Sequence, residues 1–307
     1  MANKAAAIIN PFAGKGKARK IWPKYRSTLA KNGIEISEVF SEKPGHAADL
    51  TRQTIQRGTQ IVIAVGGDGT VNEVVNGFGN EKGVFARTAS LAVVAAGTGQ
   101  DLARTLKVPN RPEDLAESII KMRLQNIDVG KLSYRRFDNS ETENYFVNIS
   151  DFGFGGLIAK NINGFPRYLG NFLAYISGLV VTLFTHKNPK VVFQIDDGEE
   201  VDGRHLAVLA ANGQYFGGGM WVAPEAKLDD GLFEFALVGN VGKLDVLRNL
   251  PKLYNGKLFQ HPKVVYLKGK KLVARSDEEV LIDMDGEAPG KLPARFEIIP
   301  NAVRVHV

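Results

Sequence analysis

Three glycine-rich loops in the first third of the chain carry residues suited to chemistry; they are 10–17, 66–73 and 97–101. Glycine lets a backbone approach a phosphate group closely, and a helix that begins after such a loop favours an anion. Asp68 and Asp101 add a carboxylate to the second and third loops. Backbone N–H groups beside a carboxylate are what a site for a nucleotide and Mg²⁺ requires.

Each loop taken alone also fits a simple turn. The first loop is neither a P-loop nor a full dinucleotide fingerprint, because position 19 is not glycine. The second could be a tight turn in which Asp68 caps a helix, and the spacing of Thr70 and Glu73 predicts a capping box at the start of that helix. Three such loops at three strand ends are more specific than one, and we expect them to converge on one crevice.

The elements that position these loops alternate along the first 128 residues. Short apolar runs predict strands at 5–9, 35–40, 61–65 and 91–95, and helical patterns fill 18–32, 47–57, 71–78 and 112–122. This order predicts a mostly parallel sheet with helices on both faces. Ligands bind to such sheets at the carboxyl ends of the strands, where the three loops lie.

The pattern changes after Asp128. Strand-like segments follow at 190–196, 205–211, 232–238, 264–267, 272–274 and 280–285, and turn signals separate them. They predict a largely antiparallel β domain that a helical stretch at 166–186 interrupts. On its own pattern, the last strand at 302–307 could pair in either domain.

Composition excludes several classes of protein. The chain has 307 residues, 39 Lys and Arg against 33 Asp and Glu, a net charge of +6 and no cysteine. A disulfide framework, a thiolate zinc site and a cysteine nucleophile are therefore excluded, and the length suits about two domains. Basic residues do not alternate with aromatic ones on one element, so we expect no nucleic-acid partner.

Two apolar runs bear on targeting. The run at 5–9 is too short for a secretory signal, and the run at 172–184 has 13 residues, fewer than the roughly 18 that indicate a membrane span. The longer run fits a core helix or a helix at a bilayer surface. We therefore expect a cytoplasmic protein, with peripheral contact at the inner membrane surface left open.

The three loops, with motifs in the second half, resemble the diacylglycerol kinase catalytic-domain family of bacterial lipid kinases, which is related to sphingosine and ceramide kinases. The second-half motifs are 212–219, 223–232 and 285–287, and 128–130 is similar to the segment that leaves the first domain. The resemblance implies an α/β domain like those of NAD kinases and phosphofructokinases at 1–128. It also implies a β-sandwich-like lipid domain at 129–294, with a strand from about 295 to 307 that returns to the first domain.

The resemblance also implies ATP-dependent phosphorylation of a lipid hydroxyl, with roles for individual residues. Asp68, Asp101 and Asp128 would form a carboxylate–water–Mg²⁺ network, although Asp101 could be a helix cap and Asp128 a strand end. The residues that would bind the nucleotide are Asn10, Pro11, Gly14, Lys15, Ser41, Gly66, Gly67, Asp68, Gly69, Thr70, Glu73, Gly97 and Thr98. In this chain Gln100 replaces the usual asparagine.

Two further sites follow from the same resemblance. Asp285 and Glu287 occupy the place of the general base that removes the proton of the acceptor hydroxyl, and we favour Glu287. A hairpin turn at 285–286 is the alternative. The carboxylate of Asp230 and the carbonyl groups of Lys227 and Leu232 would hold a second, structural Mg²⁺, although 229–231 could be only a turn.

The acceptor stays open among diacylglycerol, phosphatidylglycerol, a sphingoid base, ceramide and a long-chain alcohol. A soluble NAD-type or sugar-type kinase is an alternative, because a Gly-Gly-Asp-Gly loop occurs there too. A nucleotide-binding module without catalysis is a second one, which the four aspartates Asp68, Asp101, Asp128 and Asp285 argue against. Contact with an anionic membrane and a homodimer are further open possibilities.

Overall fold

The computed structural model describes residues 3–80, 83–161, 182–184, 186–255 and 260–307. The chain divides into two compact units, one of Met1–Val129 with Pro300–Val307 and one of Gly130–Ile299. Most of the helical stretch expected at 166–186, with the apolar run at 172–184, lies outside the described residues. Within the described ranges, no helix has both the length and the apolar character that crossing a membrane demands.

Strands and helices alternate in the first unit, as the sequence predicts. They are β1 Asn3–Ile9, α1 Ala13–Lys31, β2 Ile34–Phe40, α2 His46–Gln56, β3 Ile61–Gly66, α3 Asp68–Phe78, β4 Ser90–Ala95, α4 Asp101–Leu106 and α5 Pro112–Ile120. The strands pair in parallel in the order β2-β1-β3-β4. Every residue of β3 is buried. Such continuous apolar strands suit a parallel sheet because helices cover both of its faces.

The second unit consists mainly of strands. They are β5 Leu124–Arg135, β6 Glu141–Phe146, β7 Ile149–Gly153, β8 Lys190–Ile195, β9 Val201–Arg204, β10 Ala207–Ala211, β11 Tyr215–Phe216, β12 Met220–Trp221, β13 Phe233–Val238, β14 Val264–Gly269, β15 Lys271–Arg275, β16 Leu281–Met284 and β17 Glu287–His306. Helices α6 Phe154–Asn161 and α7 Lys243–Asn249 and a 3₁₀ helix, Leu250–Tyr254, accompany them. The first residues of β5 and the last residues of β17 belong to the first unit.

An aromatic core holds the second unit together. Its strands pair antiparallel. One group of neighbouring strands has the order β14-β13-β10-β7-β16, and another has the order β9-β8-β15. Phe146 stacks on Phe233 with ring centroids 5.6 Å apart. The fully buried phenylalanines of this core are Phe146, Phe152, Phe193, Phe233, Phe235 and Phe296. An α/β domain with a mostly parallel sheet and an antiparallel β-sandwich domain are thereby confirmed.

The sequence patterns missed several elements, among them β6, β7 and α6. Strand β6 has the sequence Glu-Thr-Glu-Asn-Tyr-Phe and is only partly buried, and its first four residues are polar, so it carries no apolar run. Strand β7 is buried throughout but includes Ser150 and Asp151, which break its apolar pattern. Polar residues on an edge strand and polar residues inside a buried strand both remove the periodicity on which such predictions depend.

The last strand closes the first unit. Val305 of β17 lies opposite Leu91 of β4 in a parallel pairing. His306 is fully buried, and its Nε2 lies 3.0 Å from the hydroxyl oxygen of Ser90. The hydroxyl group of Ser118 donates to the carbonyl oxygen of Val307 at 2.9 Å. These contacts join the final residues of the chain to the edge of the sheet.

His306 should make the first unit sensitive to acid. Burial lowers the pKa of His306 to about 4, from the ordinary histidine value of 6.5. The imidazole of His306 therefore binds a proton more tightly in the unfolded chain than in the native one. Its contribution to the unfolding free energy is fully present above about pH 6.5 and is lost as the pH falls towards 4. We expect the unfolding free energy to fall by about 2 kcal/mol less between pH 7 and pH 5 in His306→Gln than in the wild type.

Denaturant unfolding at the two pH values measures this difference. The glutamine variant keeps a polar atom for Ser90, so the two proteins should differ mainly in their pH dependence. Parallel pH profiles for the wild type and the variant would show that His306 is protonated equally well in the native and unfolded states.

Candidate functional site

The three glycine loops lie together at the carboxyl ends of β1, β3 and β4. The side-chain amide of Asn10 donates to Oγ1 of Thr70 at 3.1 Å. A Cβ atom built on Gly14, whose φ is +58°, would overlap the carbonyl oxygen of Ala96. A Cβ atom built on Gly97 would lie 2.5 Å from Cα of Gly67. Only a backbone without side chains at these points allows the loops to approach so closely.

Asp68 joins the second loop to the third. Its Oδ2 accepts a hydrogen bond from the backbone N–H of Gln100 at 2.8 Å, and Oδ1 accepts one from Leu102 at 3.4 Å. The side-chain amide of Gln100 donates to the carbonyl oxygen of Gly97 at 3.0 Å. The side chain at position 100, which is one methylene longer than asparagine, therefore forms a hydrogen bond within its own loop.

Asp101 stands beside Asp68 and begins α4. Its Oδ1 forms an ion pair with Arg104 at 3.0 Å. A Cβ atom built on Gly99 would lie 2.8 Å from Oδ2 of Asp68 and 3.5 Å from Oδ2 of Asp101, so the two carboxylates flank this glycine. Across the described residues, no three carboxylate or imidazole groups are close enough to hold a metal ion. Two carboxylates nevertheless fit Mg²⁺, which commonly takes one or two of them and completes its shell with phosphate oxygens and water.

Asp128 is not at the end of a strand, so that alternative was wrong. It lies within β5 and is fully buried. Its Oδ1 accepts a hydrogen bond from the backbone N–H of Asn301 at 2.7 Å. A carboxylate that accepts a backbone N–H in a buried setting forms a strong, charge-assisted hydrogen bond. Asp128 therefore holds the returning end of the chain within the first unit.

The capping box predicted at Thr70 and Glu73 was also wrong. Helix α3 begins at Asp68 with Gly67 as its N-cap, and no side chain caps it. Thr70 instead accepts from Asn10, and Oε2 of Glu73 accepts from the backbone N–H of Ala47 at 3.1 Å. Thr70 and Glu73 therefore bind partners that lie far from them in the sequence.

The other residues expected to bind a nucleotide lie in or beside these loops. The backbone N–H of Ser41 donates to the carbonyl oxygen of Ile9 at 2.9 Å, which places Ser41 next to the end of β1. Pro11 and Gly66 are buried, whereas Lys15, Gly69 and Thr98 are exposed. The first unit therefore carries backbone N–H groups, hydroxyl groups and paired carboxylates at one edge of its sheet. This donor set fits nucleotide phosphates and a hard cation.

In the second unit, Asp285 and Gly286 form the turn between β16 and β17, with φ values of +49° and +90°. The hairpin turn considered for this motif is therefore present. The carboxylate of Asp285 accepts three backbone N–H groups, from Val147 at 2.9 Å, Asn148 at 3.1 Å and Ile149 at 2.9 Å. Glu287 pairs with Met284 across the turn, and its side chain is exposed.

The proposed second cation site lies on a surface turn. Asp230 is exposed, and its Oδ1 accepts a hydrogen bond from the backbone N–H of Leu232 at 3.1 Å. Lys227 is exposed as well. The turn considered for 229–231 is thus present, and a structural Mg²⁺ held here stays a prediction.

A mostly apolar cavity of about 130 Å³ lies in the second unit. Its wall includes Phe154 and Ile158 of α6, Leu209 of β10 and Phe216 of β11. Phe216 thus borders the cavity. Trp221 stacks on Tyr215 with ring centroids 5.8 Å apart.

Sequence reasoning missed a pair of buried carboxyl groups. Asp151 of β7 lies directly opposite Asp283 of β16, and both side chains are buried. Burial raises the pKa of Asp151 to about 7. Burial, together with the nearby carboxyl group of Asp151, raises the pKa of Asp283 well above its ordinary value. The available signal was an aspartate next to the apolar residues Ile149, Phe152 and Phe154.

Comparisons with known proteins identify the family. The family model described as "Diacylglycerol kinase catalytic domain" matches residues 4–132, and "YegS C-terminal NAD kinase beta sandwich-like domain" matches residues 149–307. The chain belongs to the diacylglycerol kinase catalytic-domain family, which confirms the resemblance and supports a kinase.

Among the relatives is a diacylglycerol kinase of Staphylococcus saprophyticus, 30% identical over 309 residues, with 99% of this chain and 95% of the relative covered. A diacylglycerol kinase of Staphylococcus aureus is 31% identical over 303 residues, with 96% and 90% covered. A Bacillus anthracis protein provisionally named a diacylglycerol kinase has a similar structure, with a TM-score of 0.77, 26% identity and 99% and 95% of the two chains covered. Yeast NADH kinase, at 12% identity, 99% and 83% coverage and a TM-score of 0.55, shares the fold alone.

Alanine at position 14 should loosen the loop cluster. Gly14 and Gly16 both have left-handed φ values, +58° and +86°, but only a Cβ atom at Gly14 meets the backbone of Ala96. We expect Gly16→Ala to lower the unfolding free energy by about 1 kcal/mol, and Gly14→Ala to lower it by at least about 2 kcal/mol more. Denaturant unfolding of the two variants measures the difference. Equal losses would mean that the contact with Ala96 does not constrain the loop.

Proposed function

We propose that this chain transfers the γ-phosphate of ATP to a hydroxyl group of a lipid of the diacylglycerol type. The observation that carries the lipid assignment is the apolar cavity of the second unit, in a family whose named relatives are diacylglycerol kinases. An apolar cavity provides the surface that acyl chains need, whereas a soluble nucleotide or sugar acceptor needs polar groups around it.

The first unit supplies the nucleotide half of this proposal. The backbone around Asn10–Gly14 and Gly66–Thr70 would bind the phosphates, with Ser41 and Thr98 contributing hydroxyl groups. Asp68 and Asp101 fit Mg²⁺, which would neutralise charge on the phosphoryl group during transfer. By holding the N–H groups of Gln100 and Leu102, Asp68 also keeps the third loop in place before a nucleotide binds.

The second unit supplies the acceptor half. The oxygen of the lipid hydroxyl would form a bond to the γ-phosphorus as the bond to the ADP oxygen breaks, and the hydroxyl proton would pass to a carboxylate. Asp285 is a poor acceptor for this proton, because three backbone N–H groups already bind its oxygens. The exposed Glu287 is therefore assigned as the general base, and Asp285 as the residue that positions its turn.

Transfer of labelled phosphate from ATP to a lipid panel tests the function. The panel contains diacylglycerol, phosphatidylglycerol, a sphingoid base, ceramide and a long-chain alcohol in mixed micelles with Mg²⁺. We expect diacylglycerol to be phosphorylated, and Asp68→Ala to abolish the transfer because both the carboxylate and its hold on the third loop are lost. Turnover of NAD or a soluble sugar, with no lipid phosphorylated, would contradict the lipid assignment and favour the soluble-kinase alternative.

Phosphorylation of the acceptor in vesicles tests contact with a membrane. A cavity of about 740 Å³ in the first unit is lined by cations, among them Lys17, Lys20, Lys24 and Lys107. These charges support peripheral contact with an anionic bilayer. The acceptor should therefore be phosphorylated faster in vesicles that contain phosphatidylglycerol than in neutral vesicles, and the difference should shrink in high salt. Equal rates on both vesicle types would argue against this contact.

Glutamine at position 287 tests the general base. We expect Glu287→Gln to lower kcat by about 10²–10⁴-fold, because an amide cannot accept the proton, while KM for ATP stays unchanged. Glu279→Gln is the matched control, since Glu279 is an exposed carboxylate in the same unit. Full activity in Glu287→Gln would remove Glu287 from this role.

A further inference from the structure

Asp151 faces the apolar cavity. Side chains alternate between the two faces of a strand, and Phe152, the next residue of β7, packs in the aromatic core. Asp151 therefore lies on the opposite face, with Ile149. Its partner in the neighbouring strand is Leu209 of β10, and both residues line the cavity.

The carboxyl group of Asp151 is held but not saturated. The backbone N–H groups of Gly155 and Gly156, at the start of α6, donate to it. A side chain at position 155 would overlap this carboxyl group, so glycine is required there. Oδ1 of Asp151 is buried and, in the part of the chain that the structure describes, has no hydrogen-bond partner. A buried polar atom without a partner costs about 1–3 kcal/mol, which a ligand atom would recover.

The opposite carboxyl group does not fill this gap. Oδ1 of Asp283 accepts the backbone N–H of Gly286 at 2.7 Å. The two buried carboxyl groups repel each other when both are ionised, and burial itself raises the pKa of Asp151 to about 7. Near neutral pH Asp151 thus retains a proton in a large fraction of molecules and can donate a hydrogen bond.

The chemistry of the ligand follows from the wall of the cavity. Phe154, Ile158 and Leu209 leave room for hydrocarbon. A charged group of a ligand would lose its hydration against this mostly apolar wall, which is costly. In an acceptor of the diacylglycerol type, the hydroxyl group is assigned to Glu287. The polar atoms left next to the acyl chains are ester carbonyl oxygens, which only accept hydrogen bonds.

We propose that Asp151 determines specificity for acyl esters by donating a hydrogen bond to an ester carbonyl oxygen of the lipid acceptor. The proposal rests on the proposed lipid kinase activity and narrows its substrate class. Diacylglycerols are preferred over dialkylglycerols, which have the same hydroxyl group and the same chain length but no carbonyl group.

The test compares 1,2-dioctanoylglycerol with 1,2-dioctylglycerol as acceptors in mixed micelles. We expect the wild type to show a kcat/KM about tenfold higher for the ester than for the ether. Asp151→Leu removes the donor and should bring this ratio close to one. Asp151→Asn keeps an N–H donor in the same place and should retain most of the preference. This rescue by asparagine is not expected if Asp151 only supports the fold.

A matched control uses another buried carboxyl group of the same unit. Glu234 is buried, does not line the cavity and accepts the backbone N–H of Glu225 at 3.0 Å. Glu234→Gln should leave the ratio of ester to ether activity unchanged. Thermal unfolding of each variant shows whether a change in rate reflects a loss of folded protein.

Three outcomes would overturn the inference. Equal rates of the wild type on ester and ether would do so without any variant, even if Asp151→Leu failed to fold. An unchanged ratio in Asp151→Leu would do so while leaving the lipid kinase activity established. If the wild type phosphorylates no lipid, the proposed function fails, and binding of the two lipids without ATP then decides the role of Asp151. Equal affinities for ester and ether would show that Asp151 does not recognise the carbonyl group.

Discussion

The close approach of three backbone segments is the constraint on which the first unit depends. Gly67 and Gly97 lie so near each other that a Cβ atom would separate them, and a Cβ atom at Gly14 would overlap the carbonyl oxygen of Ala96. A parallel sheet brings the ends of its strands to one edge, but it does not by itself bring the following loops into contact. Glycine at the contact points allows the loops to touch. It also leaves backbone N–H groups rather than side chains at the surface of the cluster.

Carboxylates hold the backbone in both units. Asp68 binds the loop that contains Gln100, Asp128 binds Asn301, and Asp285 binds the segment 147–149. Each of these contacts joins positions far apart in the chain, and hydrogen bonds to an ionised acceptor are roughly twice as strong as neutral ones. Residues expected to act in chemistry thus also maintain the fold around them. A loss of activity on replacing one of them therefore has two causes, the lost chemical group and the loosened backbone.

The elements of the first unit could be predicted because their signals are local. Strand β3 is apolar from end to end, and a glycine loop follows each of three strands. In the second unit the same approach missed β6 and β7. Strand β6 is mostly polar and only partly buried, and β7 includes Asp151, which the structure buries against α6. The capping box failed for a related reason: Thr70 and Glu73 found partners in Asn10 and Ala47, which no local pattern contains.

The sequence by itself determined the types of chemistry available: glycine loops with carboxylates, no thiols, and motifs in the order of a known family. It also determined the class of fold, since alternation of strands and helices and runs of short strands are properties of neighbouring residues. The tertiary structure decided what each carboxyl group does. Asp285 binds three N–H groups, Glu287 is exposed, and Asp151 is buried beside an apolar cavity. The physical reason is that hydrogen-bond partners and burial set the charge and basicity of a carboxyl group, and both come from residues distant in the chain.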